Sequence, residues 1–493
     1  MEKLLSYQIP HVLQLYECLI ENKCVLDGSD TGTGKTYTTI ALCKMLNKRP
    51  FIISPKSVLS NWINVCEIFD VKIFGLSNYE SLINSKYYTE NLERVNCPYM
   101  DVIEENQDEK KRNTQKEDKK IKTDKKDKKD KKDKKEKKRK IFMFQLPEDV
   151  IIIMDEAHKC KNVKTLSSGL MNGISKTNNK LILLSATITD KIETFKPFGV
   201  AFGLYNDKKQ YSMWMTRQIK MRKIMLKRMN LTDDQIKLKI IHESIYPKFS
   251  SRMKIKELGN LFPSNQIIAK SYYIDNHEEV NKLYDELNEA LEDLKDKEKR
   301  AFALGLIMRI RQRLELIRIP IMLEQAKDGL SKGYSVAIFI NFRDTMDHLC
   351  YHLKCDCTIN GDQSIEERET CIDEFQSNKK KIIIATISAG GVGISLHDKN
   401  GDHKRMSIIS PSWSAIHFVQ VLGRIHRAES KSIATQRIIY IAKSYEEDMC
   451  RLINTKIQNI QGINDGDLAP VTFTTEIVNH ESCAKALNQY YKK

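Results

Sequence analysis

A short segment near the amino terminus has residue types and spacing that suit the binding of nucleotide phosphates. The segment is DTGTGKT, Asp30–Thr36. Glycine is needed there because backbone N–H groups must close on phosphate oxygens without an obstructing Cβ atom. Lys35 would place a positive charge at the β- and γ-phosphates, and the Thr36 hydroxyl could bind Mg²⁺. ATP and Mg²⁺ are therefore the predicted ligands, and the predicted loop contacts are Asp30, Thr31, Gly32, Thr33, Gly34, Lys35 and Thr36.

A second segment, VIIIMDEAH at Val150–His158, is an apolar run that ends in two carboxylates. Such a run predicts a parallel strand buried on both faces, with Asp155 and Glu156 at its carboxyl end, where open α/β sheets bind ligands. Asp155 is predicted to hold Mg²⁺ through water, and Glu156 to orient and deprotonate the attacking water. The alternative interpretation is a solvated cluster of charges at a strand end.

A third segment, QVLGRIHR at Gln420–Arg427, carries two arginines three residues apart. If the segment is helical, Arg424 and Arg427 share one face. Guanidinium groups are always charged and bind phosphate oxygens in pairs, so these arginines are predicted to stabilise the γ-phosphate from across a cleft. The alternative is a surface helix with structural ion pairs. The glycine-rich segment SAGGVGIS, Ser388–Ser395, follows a predicted strand and could also approach phosphate closely.

The formal net charge of +16 is concentrated in one part of the chain. Asp108–Lys140 contains 19 Lys or Arg and 9 Asp or Glu, a net of +10, which leaves +6 for all other residues. With almost no apolar residues, this tract cannot bury enough surface to offset the entropy of ordering, so disorder is expected over about 105–140. Two interpretations stay open for it, nonspecific capture of nucleic acid and a tolerated loop expansion.

The twelve cysteines are scattered without a paired framework, which favours reduced thiols inside a cell. The densest group, His348–Cys357, does not have the spacing of the common zinc sites. The chain has no apolar run of about 18 residues and no signal-peptide core near its start. A soluble intracellular protein without a membrane partner is therefore expected.

Apolar strand segments alternate with helical segments in both halves of the chain. The predicted strands, besides the acidic one, are Val25–Leu26, Phe51–Ile53, Leu181–Leu184, Val336–Ile340, Lys381–Thr386, Met406–Ser410 and Arg437–Ala442. This alternation predicts an α/β fold with parallel sheets covered on both faces. The second half has no phosphate loop, so it is expected to complete the ATP site of the first. The predicted domains are 1–205 for the first unit, 206–318 for a helical extension and linker, 319–460 for the second unit and 461–493 for a C-terminal tail.

In order, the chain contains SYQIPHVLQL, DTGTGKT, SPKSVLSNW, LSNYESL, DEAHKCKN, SAT, VAIFINF, SAGGVGIS and QVLGRIHR. This series resembles the core of the superfamily 2 DExH helicases and spans nearly the whole chain. Within that superfamily it most resembles the SWI/SNF-type DNA translocases, including their annealing-helicase relatives. The segments that carry this finer likeness are PKSVLSNW, DEAHKCKN, NGDQSIEERETCIDEF, AGGVGI, and Trp413 ahead of the arginine segment.

The resemblance implies two RecA-like lobes with ATP in the cleft between them and nucleic acid across both lobes on the opposite face. It implies that Gln8 reads adenine, that Gly393 contacts the nucleotide, and that Ser185 and Thr187 couple hydrolysis to lobe movement. The residues implied in hydrolysis are Lys35, Asp155, Glu156, Gln420, Arg424 and Arg427. The residues implied near the nucleic-acid backbone are Pro55, Lys56, Ser388 and Gly391.

Three departures from the SWI/SNF-type pattern bear on function. SAT at Ser185–Thr187 replaces the usual threonine-glycine-threonine, Gly423 stands where an aspartate is frequent, and RAESKS replaces an Arg-Ile-Gly-Gln ending. They leave strand separation and duplex translocation open. The expected function is an ATP-dependent DNA translocase or helicase that favours duplex DNA. The alternatives are an RNA or RNA·DNA helicase and a binding module that uses ATP only as a structural ligand.

The intact Glu156, Arg424 and Arg427 argue against the last alternative. The Lys, Ile and Asn bias favours an AT-rich genome, such as that of a large DNA virus or a protist. The expected location is the nucleus or, for a viral protein, a cytoplasmic viral factory or the virion.

Overall fold

The computed structural model describes most of the chain, in a set of segments separated by gaps. The described residues are 2–89, 91–106, 138–222, 231–258, 265–272, 277–296, 298–390, 394–412, 414–427, 430–442, 444, 446, 455–460, 463–464 and 475–478. Most of the charged tract, Gly391, Gly393, Trp413 and most of the predicted C-terminal tail lie outside these residues.

Strands and helices alternate over most of the described chain. The strands are β1 (Cys24–Asp27), β2 (Arg49–Ile53), β3 (Gly75–Ser77), β4 (Lys86–Tyr88), β5 (Arg94–Asn96), β6 (Met100–Asn106), β7 (Lys138–Phe144), β8 (Val150–Asp155), β9 (Leu181–Leu184), β10 (Ser250–Ser251), β11 (Asn265–Tyr272), β12 (Ser335–Ile340), β13 (Thr358–Ile359), β14 (Ile382–Thr386), β15 (Arg405–Ile409), β16 (Ala434–Ile441) and β17 (Thr475–Val478). The helices are α1 (Gln8–Glu21), α2 (Lys35–Met45), α3 (Leu59–Phe69), α4 (Tyr79–Ile83), α5 (Leu166–Ile174), α6 (Lys196–Ala201), α7 (Tyr211–Met221), α8 (Asp233–Ile245), α9 (His277–Asp293), α10 (Arg300–Ile317), α11 (Ile319–Ser331), α12 (Arg343–Leu353), α13 (Ile365–Gln376), α14 (Ile387–Gly390) and α15 (Ala415–Leu422).

The first lobe is built on a sheet of eight strands in the order β10-β1-β9-β8-β2-β3-β4-β5. Strands β10 to β3 are parallel, and β4 and β5 continue the sheet in antiparallel orientation. Alternate residues of the central strands enter two separate apolar cores. Helices α1 to α3 supply the core on one face, and α5, α8 and the β6–β7 hairpin contribute to the core on the other. This burial on both faces explains why the central strands are continuous apolar runs.

The order of the central strands brings three predicted segments to one edge of the sheet. Asp27 at the end of β1 pairs with Leu184 at the end of β9, and Leu184 pairs in turn with Asp155 at the end of β8. The phosphate loop, the SAT segment and the acidic pair follow these three strands. Since carboxyl ends of parallel strands share one edge, the segments become neighbours there.

The second lobe is built on a parallel sheet of seven strands in the order β13-β14-β12-β15-β16-β11-β17. It also packs against helices on both faces, through one core that includes α9 to α12 and another that includes α13 to α15. The predicted α/β class with two parallel-sheet units is therefore confirmed. In the described part of the chain, no helix is both long and apolar enough to cross a membrane.

Two segments differ from the sequence-based expectation. The described residues of 206–318 are mostly helical, but β10 joins the first sheet and β11 joins the second. The two-residue β10 has no apolar run, and β11 mixes polar and apolar residues, so neither gives a strong strand signal. Residues at both margins of the expected disordered insertion form strands as well, because β6 pairs with β7 from Met100 opposite Phe144 to Asn106 opposite Lys138.

Candidate active site

The predicted phosphate loop, Asp30–Thr36, connects β1 to the start of α2. Gly32 and Gly34 have φ values of +88° and +90°, in the left-handed region that favours glycine. Neither has room for a side chain. A Cβ atom on Gly32 would lie 2.9 Å from Cγ of Arg427, and one on Gly34 would collide with the amide of Gln8. These glycines therefore allow both the curvature of the loop and the close approach of two other elements.

Lys35 lies in the first turn of α2, where unpaired helix N–H groups and the helix dipole favour an anion. Its Nζ donates to the carbonyl oxygens of Ser29 and Asp30, at 2.9 and 3.0 Å. Burial lowers the pKa of Lys35, while the carboxylates of Asp27 and Glu156 act in the opposite direction. The ammonium group therefore lies within the loop and faces the acidic edge of the sheet.

Gln8 and Thr36 complete the contacts predicted for this side of the nucleotide. The Gln8 amide donates from Nε2 to the carbonyl of Thr33, at 3.0 Å, and its Oε1 accepts from the N–H of Leu5, at 2.9 Å. Gln8 is thereby fixed against the loop. Thr36 is half-buried at the second position of α2. The reading of adenine by Gln8 and the binding of Mg²⁺ by Thr36 stay predictions.

Asp155 ends β8 and is held by hydrogen bonds on both carboxylate oxygens. Oδ2 accepts from Ser54 Oγ at 2.8 Å and from Trp62 Nε1 at 3.1 Å. Oδ1 accepts from the backbone N–H of Glu156 at 2.9 Å, and the hydroxyl of Tyr79 donates to the Asp155 carbonyl at 2.7 Å. With three of its roughly four lone-pair sites engaged, the carboxylate suits contact with a metal through water.

Glu156 follows Asp155 with a φ of +52°, which is uncommon for a residue with a Cβ atom. Its Oε2 accepts from Nε2 of Gln420, on α15 of the second lobe, at 2.9 Å. The same oxygen lies 3.2 Å from Nδ1 of His158. The two lobes therefore meet at the carboxylate predicted to activate water.

The two arginines also lie in the cleft, but not on one helical face. Helix α15 ends at Leu422, and Arg424 and Arg427 follow it. Arg424 Nη1 and Arg427 Nη2 both donate to the carbonyl of Ile394, at 3.1 and 2.7 Å. Arg424 Nε donates to the carbonyl of Gln420, at 2.9 Å. A shared carbonyl acceptor, rather than helical spacing, brings the guanidinium groups together.

Burial and neighbouring charges shift the pKa values of these groups. Burial, followed by the charge of Glu156, raises the pKa of Asp155. Burial also acts to raise the pKa of Glu156, but the hydrogen bond and charge interaction with His158, followed by the positive charge of Lys35, outweigh it, and that pKa is lowered. Burial lowers the pKa of Arg424 to about 10, and burial with repulsion by Arg424 lowers that of Arg427 to about 9. Both arginines stay charged at neutral pH, and an anion between them would relieve their repulsion.

Two buried polar atoms of the cleft have no hydrogen-bond partner within the described parts of the chain. They are Oε1 of Gln420 and Nε of Arg427. Such atoms are costly unless a ligand or water satisfies them. Lys35 and Nε of Arg427 can donate to the phosphate oxygens of a nucleoside triphosphate, whereas Oε1 of Gln420 can accept from a water molecule. Asp155 and Thr36 are the residues that would hold Mg²⁺.

Ser185 and Thr187, predicted to couple hydrolysis to movement, are buried just after β9. The N–H of Thr187 donates to Ser185 Oγ at 3.2 Å. Ser185 Oγ lies 3.3 Å from Nδ1 of His158, the same atom that contacts Glu156. His158 therefore connects the acidic pair to the SAT segment by direct contact.

The residues predicted near nucleic acid lie just beyond the ends of β2 and β14. Pro55 and Lys56 follow β2, and Lys56 is exposed. Ser388 is exposed in α14, directly after β14. The two lobes also touch close to Lys56, where Oγ of Ser60 in α3 donates to the carboxylate of Glu369 in α13, at 3.3 Å. The structure places these side chains, and their contact with nucleic acid stays a prediction.

A buried group below the phosphate loop was not predicted from the sequence. Asp27, fully buried, accepts from the N–H of Ser29 at 3.0 Å and from Thr38 Oγ1 at 3.2 Å. It also lies 3.1 Å from Nε2 of His11. Although burial acts to raise the pKa of Asp27, contact with His11 lowers it to about 2. The only local signal is a carboxylate that ends the apolar run of β1 immediately before the loop.

Comparisons with known proteins show which sequences and structures this chain is similar to. Residues 2–190 match a family described as type III restriction enzyme, res subunit, and residues 320–429 match the helicase conserved C-terminal domain. A protein of Acanthamoeba polyphaga mimivirus, named "Putative ATP-dependent RNA helicase L364", is 36% identical over 482 residues, which cover 94% of this chain and 84% of that protein.

The ISWI chromatin-remodeling complex ATPase ISW1 of Saccharomyces cerevisiae is 22% identical over 509 residues, which cover 92% of this chain and 40% of that protein. Among solved structures, S. cerevisiae Dbp5 bound to RNA and ADP BeF3 matches with a TM-score of 0.43 and 12% identity, over 99% of this chain and 97% of that one. The Sulfolobus solfataricus SWI2/SNF2 ATPase core in complex with dsDNA matches with a TM-score of 0.34 and 16% identity, over 94% and 93%.

Two parallel-sheet lobes that match helicase domain families are the fold of a helicase-type ATPase. The chain belongs to superfamily 2 of the helicases, as its matches to the helicase domains and to the mimivirus relative show. It is an ATP-hydrolysing enzyme of that superfamily.

Gly423 offers a test of lobe contact at this site. A Cβ atom there would collide with the side chain of Thr31 in the phosphate loop. Gly423→Ala is expected to lower kcat for ATP roughly tenfold, because overpacking typically costs about 1–3 kcal/mol. Gly361→Ala, in the same lobe but with open space around the glycine, is the matched control. Equal kcat values for the two variants would contradict close approach of Gly423 to the loop during turnover.

Proposed function

We propose that this chain is a nucleic-acid-stimulated ATPase that moves along duplex DNA. The observation that carries the proposal is the hydrogen bond from Gln420 of the second lobe to Glu156 of the first. This bond can form only when the lobes are together, so the residue proposed to activate water has its full set of contacts only in the closed arrangement. Hydrolysis and lobe movement are linked through this contact. The grip of the two lobes on the phosphodiester backbone alternates during the cycle. Because backbone contacts position a protein without reading bases, sequence specificity is expected to be low.

The chemical roles follow from the charges of the cleft. Glu156 is the proposed general base, since its carboxylate ends the acidic strand segment within the cleft, is ionised at neutral pH and can accept the proton of the attacking water. Lys35 and the two arginines, Arg424 and Arg427, offset the negative charge that develops on the transferred phosphoryl group. Mg²⁺, held by Asp155 and Thr36, would supply further positive charge at the phosphate oxygens.

The contacts of His158 support a route from hydrolysis to movement. Nδ1 of His158 touches both the carboxylate of Glu156 and the hydroxyl of Ser185 in the SAT segment. A change at the γ-phosphate that displaces Glu156 would therefore shift His158 and alter its contact with Ser185. Pro55 and Lys56 on the first lobe, and Ser388 on the second, are proposed to contact the nucleic-acid backbone.

Duplex DNA is favoured by the segments that resemble SWI/SNF-type translocases and by the likeness to the yeast chromatin-remodeling ATPase. An RNA helicase is the second candidate, and it is favoured by the name of the mimivirus relative. That relative also supports a viral origin, for which the proposed location is a cytoplasmic viral factory or the virion.

ATPase assays with duplex DNA, single-stranded DNA, duplex RNA and single-stranded RNA would test the proposal. Duplex DNA is expected to give the largest rise in kcat, and ATP hydrolysis is expected to displace the third strand of a DNA triplex without separating the duplex. Lys35→Ala is the control for contaminating ATPases. Greater stimulation by RNA would support the second candidate, and hydrolysis unchanged by any nucleic acid would oppose both.

The charged tract gives a separate prediction about nucleic-acid capture. Residues 108–137 carry 16 Lys or Arg and 9 Asp or Glu, a net of +7. Asn106 and Lys138 are cross-strand partners, so an Asn-Gly turn can replace 107–137 and keep the hairpin. The variant is expected to retain basal ATPase but to need more DNA for half-maximal stimulation at low salt. Its slope of log affinity against log salt should fall by about 0.9 for each phosphate that the tract would otherwise neutralise.

The control for this deletion is a full-length chain in which uncharged residues replace every Lys, Arg, Asp and Glu of 108–137. If charge is responsible, the control and the deletion should show the same decrease in affinity. Loss of folding in the deletion alone would mean that the tract is structural. Unchanged affinity and salt slope in both would mean that it is an inert insertion.

A further inference from the structure

We infer that Arg252 is a positioning residue that holds the phosphate loop in shape and joins it to the SAT segment. Its guanidinium group donates from Nη1 to the carbonyl of Gly28, at 2.6 Å, and to the carbonyl of Ala186, at 3.4 Å. Nη2 donates to Oδ1 of Asp30, at 2.6 Å. One side chain thus reaches the entry of the loop, the first residue of the loop and the middle of the SAT segment.

The backbone around Arg252 reinforces this arrangement. Strand β10 pairs with the end of β1, and the N–H of Gly28 donates to the carbonyl of Ser251, at 3.0 Å. The N–H of Asp30 donates to the carbonyl of Met253, at 3.0 Å. In return, the N–H of Met253 donates to Ser29 Oγ, at 2.9 Å. Residues 251–253 therefore run beside the entry of the phosphate loop and are bonded to it residue by residue.

Asp30 has a different role in this arrangement from the nucleotide contact predicted for it. Its Oδ1 accepts from Arg252, and its Oδ2 accepts from the N–H of Ile255, at 2.9 Å. Its own N–H is engaged by Met253. The side chain and the N–H of Asp30 thus both form hydrogen bonds with residues 252–255. Asp30 is therefore the loop residue that holds the guanidinium group of Arg252 in position.

The choice of arginine has a physical reason. The side chains of Arg252 and Asp30 are 10% and 25% exposed, so water screens their attraction less than that of a surface pair. A planar guanidinium can donate to a carboxylate and to carbonyl groups at once, in fixed directions. A lysine ammonium keeps the charge but cannot span the same acceptors. Arg252→Lys is therefore expected to preserve the ion pair without preserving the geometry.

Contact with Ala186 extends the effect beyond the loop. The SAT segment follows β9, and the N–H of Ser185 donates to the carbonyl of Asp27 at the end of β1, at 3.2 Å. Arg252 adds a second link between the same two segments, on the side of Gly28. With both links in place, the loop and the SAT segment keep one relative position. Without Arg252, the loop would sample other conformations, and ATP would bind only the fraction that is competent.

The test is steady-state ATPase kinetics and nucleotide affinity for Arg252→Ala, Arg252→Lys and Asp30→Ala. Each variant is expected to raise the KM for ATP, and the Kd for a fluorescent ATP analogue, by about tenfold through loss of charge-assisted hydrogen bonds. The kcat should stay within about twofold, because bound nucleotide restores the loop. The double variant of Asp30 and Arg252 should raise the KM by less than the product of the two single effects, since both single variants remove the one ion pair that these side chains share.

The matched control is Arg222→Ala, in the same lobe. Arg222 pairs with Glu243 at 3.2 Å, with side-chain exposures of 25% and 28%, and neither residue contacts the loop in the described structure. A purely structural role for Arg252 predicts that both variants lower Tm and leave the KM for ATP unchanged. That result would overturn the inference. If Arg252→Ala does not fold, the Asp30→Ala variant tests the inference in its place. A raised KM for ATP in Asp30→Ala would support the inference, and an unchanged KM would oppose it.

The inference rests on the proposed nucleotide site at Asp30–Thr36, and the two can fail separately. Lys35→Ala hydrolysing ATP at the wild-type rate would mean that the site itself is misplaced. If Lys35→Ala loses activity but the Arg252 variants keep the wild-type KM for ATP, the nucleotide site is supported. Only the positioning role of Arg252 is then rejected.

Discussion

Arg427→Ala is expected to lower kcat for ATP by about 10³–10⁵-fold, the range found for arginines that stabilise phosphoryl transfer. Arg427 approaches the phosphate loop at Gly32, and its Nε has no partner within the described residues. Because the second lobe supplies this side chain, it should contribute mainly when the lobes close. Nucleotide affinity is therefore expected to fall much less than kcat. Single-turnover kinetics and ATP-analogue binding would separate the two effects.

Two further variants sharpen this prediction. Arg427→Lys keeps the charge but not the paired donors, so it should recover only a small part of the lost rate. Arg437→Ala removes an arginine of the same lobe that bonds Gln325 and Asp328, away from the cleft, and should leave kcat unchanged. A large loss of ATP affinity with normal kcat in Arg427→Ala would contradict a two-lobe mechanism.

Glu156→Gln is expected to lower kcat by about 10²–10⁴-fold while ATP stays bound, since the amide cannot accept the proton of water. The glutamine has nearly the same shape and can still accept a hydrogen bond from Gln420, so the closed arrangement should persist. The variant should therefore accumulate as an ATP-bound, closed form. Slow release of unhydrolysed nucleotide, measured by rapid filtration, would report this state.

The control for Glu156→Gln is Glu148→Gln, an exposed residue just before the other end of β8. It makes the same chemical change without touching the cleft and should turn over ATP normally. Normal turnover by Glu156→Gln as well would mean that the acidic pair has been assigned the wrong role.

Local residue patterns were sufficient to predict the α/β class and the position of the phosphate loop. The continuous apolar residues of β8 and β9 predict strands buried on both faces, and both strands have that burial. The glycine spacing of the loop predicts unusual backbone angles, and Gly32 and Gly34 have them. These features depend on near neighbours in the chain, so the sequence expresses them directly.

The sequence placed Gln420 and Glu156 in one predicted site only through a resemblance to known enzymes. Their contact joins residues 264 positions apart, and no local pattern determines its length or donor. The paired arginines were expected on a helical face. They converge instead on the carbonyl of Ile394 beyond the end of α15.

By itself, the sequence determined which residues could bind phosphate, which could activate water and which segments form the central strands. The tertiary structure decided how these groups are supported. Arg252 lies 224 positions from Gly28, in a segment without an apolar run or a known motif, yet it bonds the loop directly. His11 contacts Asp27 from a helix that packs over the sheet. Pairing between distant segments depends on which surfaces are buried together. Residue spacing along the chain does not predict that pairing, because it reports only on near neighbours.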